Sequence, residues 1–112
     1  MIQSISDIIT NSSSEVFVIN TDNGEYVLNF LIDICTTLGY DLSNIMEYEI
    51  TEQDGFLDYQ YYGSVSYNKN DILIYSVFEN SIPSVIHDII YSLSSIPILK
   101  NYKIKINQLH LG

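Results

Sequence analysis

Three features of this 112-residue sequence predict an α+β domain, a four-stranded antiparallel sheet carrying two helices on one face. The elements follow one another as strand, helix, strand, strand, helix, strand. The first and third strands are apolar on both faces, which suits strands with neighbours on both sides, whereas the second and fourth alternate, which suits edges. Element order and strand patterning agree on the split βαβ arrangement of ferredoxin-like folds, in which the first and third strands are central.

The first strand is Val16-Phe17-Val18-Ile19, four β-formers closed by Asn20-Thr21-Asp22-Asn23-Gly24. The Ser12-x-x-Glu15 spacing also fits a helical capping box, but the bulky run and the turn residues after it favour a strand. From Thr21 or Asp22 the period lengthens. Tyr26, Phe30, Leu31, Ile34 and Leu38 fall at helical spacing, acids occupy the first turn, and Gly39 stands where a C-terminal cap belongs. Asn29, Asp33 and Thr36 or Thr37 are expected on the outer face of this helix.

Ile45 to Thr51 alternates, with Met46, Tyr48 and Ile50 on one face and Glu47 and Glu49 on the other. A polar, Gly-punctuated insertion spans 52–70. Asp71 to Phe78 is apolar on both faces, Ile72, Ile74 and Phe78 against Leu73, Tyr75 and Val77. Ser81 and Pro83 mark a second helix with a stripe of Val85, Ile86, Ile89, Ile90 and Leu93 that ends before Pro97. Tyr102, Ile104 and Ile106 alternating with Lys103, Lys105 and Asn107 form the last strand. The edge strands carry charge, as edges do when they must not pair with other chains. No repeat or linker interrupts 1–112, so a single domain is expected, with 1–14 as an N-terminal segment.

With both helices on one face, the other face presents apolar residues of the central strands. Four occupants are open: the N-terminal segment with Ile2, Ile5, Ile8 and Ile9, the 52–70 insertion, a second copy of the chain, or a foreign partner.

Composition narrows the class of function. At 46% hydrophobic the chain has enough apolar residues, suitably patterned, to fold, and at its length it buries roughly two-thirds of the surface exposed by the unfolded form. There is no Arg and no Lys before Lys69, so the cationic footprint of a nucleic-acid binder is missing. The single Cys35 cannot form an internal disulfide, the start lacks a signal-peptide pattern, and the most apolar stretch, Tyr26 to Cys35, is broken by Asn29 and Asp33. These features predict a reducing, cytoplasmic setting and no membrane span. The absence of Ala and Arg beside abundant Ile, Asn, Ser and Tyr points to an AT-rich coding sequence.

Ile8-Ile9-Thr10-Asn11-Ser12-Ser13-Ser14-Glu15-Val16-Phe17-Val18-Ile19 resembles a segment near the start of many small, uncharacterised phage and bacterial proteins, roughly Phe-Val-Thr/Ser-Asn-Ser-Ser-Ser-x-Ser-Phe-Ile/Val. The resemblance covers about a tenth of the chain and departs from the pattern at Ile9 and Glu15-Val16. It implies a viral or mobile-element setting and transfers no catalytic role. Physically, Asn11 to Ser14 reads as a turn whose side chains bond the local backbone, since the Gly and Lys of a phosphate loop are missing.

No catalytic or metal-binding constellation stands out. Cys35 lies beside the apolar stripe of the first helix, where a buried thiol is the ordinary outcome, and a Cys35–His87 pair is the one nucleophile and base that packed helices would bring together. His87 alone reads as a helix-flank residue, and His110 is a weaker candidate still. Glu49, Glu52, Asp54 and Asp58 do not reproduce a calcium loop. No cofactor motif is found.

The remaining signal is charge. The net −10 comes from 14 carboxylates and four lysines, and 11 of the carboxylates precede Lys69 with no basic residue among them. Tyr48, Tyr59, Tyr61, Tyr62 and Tyr67, with Phe56 and Leu57, are interleaved with these acids. Tyr offers large contact area at low entropy cost, so Glu47, Glu49, Glu52, Asp54, Asp58, Tyr59, Tyr61, Tyr62 and Tyr67 are the expected partner-binding residues. The competing structural reading is an extended hairpin whose Phe56, Leu57 and alternate tyrosines cap the open sheet face. The expected activity is non-enzymatic: binding to a basic host protein, as a nucleic-acid mimic that inhibits a defence or transcription protein. The alternative is an assembly component or homo-oligomer that pairs through the open sheet face.

Overall fold

The computed structural model describes residues 15–59, 63–76 and 82–110. β1 (Glu15–Asn20), β2 (Met46–Ile50), β5 (Ile72–Ser76) and β6 (Lys105–His110) form a four-stranded antiparallel sheet in the order β2-β5-β1-β6. β3 (Gly55–Tyr59) and β4 (Gly63–Tyr67) make a separate two-stranded hairpin, and the helices are α1 (Gly24–Thr37) and α2 (Ser84–Ser92). The two doubly apolar strands, β1 and β5, are central and pair with Phe17 opposite Ile74. The two alternating strands, β2 and β6, are the edges.

Alternation along each strand divides the core in two. On one side Phe17, Ile19, Met46, Ile72 and Ile74 meet Val27, Leu28, Leu31 and Cys35 of α1 and Ile86 and Ile90 of α2. On the other, Val16, Val18, Leu73, Tyr75 and Leu109 meet Leu57, with Val65 and Tyr67 packed alongside. The 52–70 insertion therefore covers the helix-free face with its hairpin. The N-terminal segment and the turn read over Asn11–Ser14 lie outside the described residues.

Asn23 caps α1 by accepting from the Tyr26 nitrogen at 3.1 Å, and Gly39 closes it at φ 92°, a left-handed conformation that suits glycine. At the start of α1, Gly24 lies so close to the turn before β5 that a Cβ there would collide with the Asn70 carbonyl. The buried Asp71 organises that corner. Its carboxylate accepts from Asn20 Nδ2 at 2.7 Å, Thr21 N at 3.0 Å and Asn68 N at 2.7 Å, and its backbone exchanges bonds with Thr51.

Several boundaries differ from the sequence expectation. The buried stripe of α1 is Val27, Leu28, Leu31 and Cys35, while Tyr26 and Leu38 are exposed. Residues 26–35 supply two overlapping apolar faces, and the approach of Gly24 to Asn70 sets which one turns inward. In α2, Val85 is exposed and the helix tightens into a 3-10 turn at Leu93–Ser95. The last strand begins at Lys105 rather than Tyr102. The Tyr102 carbonyl accepts from Asp22 N and Thr21 Oγ1, which holds it in a 3-10 turn, Pro97–Tyr102, and Lys103 at φ 53° breaks the extended path. The third predicted strand is seen over Ile72–Ser76, and its expected continuation through Val77 and Phe78, like Ser81, lies outside the described residues.

Candidate protein-binding surface

β2 presents Glu47 opposite Tyr75 and Glu49 opposite Leu73, which places both acids on the hairpin side of the sheet, at its edge. The backbone leaves β2 through Thr51, whose hydroxyl donates to the Asn68 carbonyl at 2.5 Å, and this brings Glu52 back beside Glu49. Burial, then the charges of Glu52 and Glu47, push the Glu49 carboxyl above the ordinary carboxylate range. The neighbouring Tyr75 hydroxyl is pushed up to about 12, by burial first, then by the charges of Glu47 and Glu49 and its hydrogen bond to Glu47. Three predicted residues, Glu47, Glu49 and Glu52, thus form one acidic patch. Among the described residues no lysine is paired with it.

The other predicted residues divide differently. Asp54 accepts from the backbone nitrogen of Lys69 at 2.8 Å and closes the base of the hairpin. Tyr67 is half-buried, with its ring laid across Gly55 so that a Cβ there would come within 2.5 Å of the hydroxyl. It is a packing residue of the second core rather than a presented anchor, because the register sets it opposite Gly55, which has no side chain to occupy that space. Asp58 and Tyr59 belong to β3, opposite Ser64 and Gly63. Their side chains, and Tyr61 and Tyr62 altogether, lie outside the described residues. Phe56 points away from the sheet and is 64% exposed, because Leu57, one residue on, takes the inward position. Tyr48, expected to be inward, is exposed at the edge. It lines a shallow groove of about 370 Å³ with Ile32, Tyr40 and Leu42.

A second polar cluster was not anticipated from the pattern. Glu15, counted in sequence as part of the acidic run, is buried at the start of β1 and pairs with His87 of α2 at 2.9 Å. His87 is therefore neither a free flank residue nor the partner of Cys35. The thiol of Cys35 is fully buried in the helix-side core, and burial raises it above its ordinary value, which disfavours the nucleophilic thiolate. The spacing of His87 and Tyr91, one turn apart on α2, was the available signal: both ring edges meet Phe17. Nothing in the spacing indicates that Glu15 lies across from them.

Among the described residues no helix is long and apolar enough to cross a membrane. No family model, curated protein or solved structure matches the chain.

Proposed function

We propose that this chain is a non-enzymatic binding protein of a phage or mobile element, acting in the host cytoplasm, that docks its acidic sheet edge on a basic protein surface. The framework is a ferredoxin-like βαββαβ domain with the β3–β4 hairpin inserted between its second and third strands. The observation that carries the reading is the patch of Glu47, Glu49 and Glu52. Burial and the charges of Glu52 and Glu47 raise the proton affinity of Glu49, and no lysine is paired with the three acids among the described residues. Like charges held together cost stability, and a basic partner offsets that cost on contact. The net −10 adds long-range attraction toward the same class of partner. A nucleic-acid-binding groove is the basic surface such a patch suits best, by mimicry of phosphate charge. The absence of enzymatic activity is supported by Cys35 being buried and by His87 being engaged with Glu15.

The test is binding to a panel of nucleic-acid-binding proteins over a salt series, comparing the native chain with the triple variant Glu47→Gln, Glu49→Gln, Glu52→Gln. The expected result is salt-sensitive binding that the triple variant weakens by about tenfold or more. Binding that is insensitive to both salt and substitution overturns the mimicry reading.

A further inference from the structure

The sheet ends on two edges of opposite charge. β2 carries Glu47 and Glu49; β6 opens on Lys105, with Lys103, 80% exposed, just before it. The register places these charges on one face. Lys105, Asn107 and Leu109 stand opposite Asn20, Val18 and Val16, so Lys105 shares the hairpin side with Glu47 and Glu49. The three antiparallel steps from β2 through β5 and β1 to β6 leave the two edges running in opposite directions. A second copy set beside β6 by translation therefore offers it an antiparallel β2, and the sheet can continue with its pleat unbroken. Neither edge has another strand beside it among the described residues.

The charges select among the possible pairings. Two β2 edges brought together would set Glu47 and Glu49 against the same acids, and two overlapped antiparallel β6 edges would set Lys105, at the start of the strand, against Leu109 near its end, with no opposite charge to meet it. Like charges directly opposite destabilise a strand pair, while opposite charges stabilise it. The mixed pairing alone places Lys105 across from Glu47 or Glu49, and on the helix side it brings Ile106 toward the row of Tyr48 and Ile50.

We propose that the occupant of the β2 edge in the free protein is the β6 edge of a second copy, in a head-to-tail, heterologous pairing that leaves a free edge at each end. With only five or six residues per edge the contact belongs to the small, transient class, so it forms at high protein concentration. The inference is independent of the partner-binding reading, since it is measured with no partner present.

The experiment is sedimentation over about two decades of concentration, at ionic strength near 0.15 M, where a Debye length of about 8 Å screens the repulsion between whole molecules but not pairs in contact. The native chain is expected to gain mass continuously past the dimer. Lys105→Glu and Glu49→Lys are each expected to weaken association by about tenfold. Mixing the two single variants restores a contact, because the altered β6 of one then complements the altered β2 of the other. Circular dichroism of each variant, expected unchanged, confirms that the fold is kept. A strict monomer across the range, a closed symmetric dimer, association indifferent to both substitutions, or variants that fail to restore one another on mixing would each overturn the proposal.

Discussion

Oε1 of Glu15 lies 2.9 Å from Nε2 of His87 and 2.7 Å from the backbone nitrogen of Ile82, while Oε2 accepts from Gln108 Nε2 at 3.2 Å. A carboxylate only 2% exposed is thus met by donors from α2, the residue leading into it, and β6. With Glu15 ionised it can only accept, so Nε2 of His87 is the donor. Tyr91 extends the cluster by donating to Oε1 of Gln108, and burial together with the charge of Glu15 raises the Tyr91 hydroxyl above its ordinary value.

Removing His87 leaves that buried carboxylate short of a donor and takes away the ring edge packed on Phe17 at a centroid distance of 5.3 Å. His87→Ala is expected to cost about 2–3 kcal/mol of unfolding free energy. In a double-mutant cycle with Glu15→Gln, read by urea denaturation, the coupling should be about 1 kcal/mol or more. Simple additivity would show that the pair contributes nothing as a pair.

Asp71→Asn replaces one acceptor oxygen with a donating amide at a site where three donors converge. Loss of about 2–3 kcal/mol is expected, and hydrogen exchange should show the Asn68–Asp71 turn opening before the rest of the sheet. Unchanged protection of that turn would count against Asp71 as its organiser.

Glu49 makes stability depend on pH. Its carboxyl is raised in the folded protein relative to an ordinary value of 4.5, so the folded state binds the proton more tightly than the unfolded one. The charge therefore destabilises at neutral pH, and the penalty fades as pH falls through the folded value toward 4.5. Because the group is only half-buried and solvent still screens it, Glu49→Gln is expected to add at most about 0.5 kcal/mol at pH 7 and nothing near pH 4. Thermal melts at the two pH values check this, and a gain that grows on acidification is the contrary result.

Leu57 is the inward residue through which the hairpin meets the sheet, at 1% exposure. Leu57→Ala is expected to cost about 2–4 kcal/mol and to expose Val16, Val18 and Leu73 enough to bind a hydrophobic dye. Phe56→Ala, one residue earlier and facing outward, should change stability by less than about 0.5 kcal/mol. Equal effects from the two substitutions would mean that the hairpin does not dock by this face.

The element types and the roles of the strands were legible in the sequence because they follow from periodicity. Val16 to Ile19 and Ile72 to Tyr75 are apolar at every position and lie at the centre of the sheet, whereas Glu47 and Glu49 alternate with apolar residues and lie at an edge. Part of the candidate surface was legible for the same reason: Glu47 and Glu49 sit two residues apart on one strand, with Glu52 just beyond. Long-range pairing was not legible. That Leu57 rather than Phe56 turns inward, that Tyr67 is spent on covering Gly55, and that α1 buries Val27 and Cys35 instead of Tyr26 and Leu38 all depend on contacts between distant segments. The clearest case is Glu15, which sequence spacing assigns to an acidic field. Tertiary structure takes it out of that field by placing His87, 72 positions away, within hydrogen-bond distance, because a buried carboxylate is stable only where the fold brings it donors.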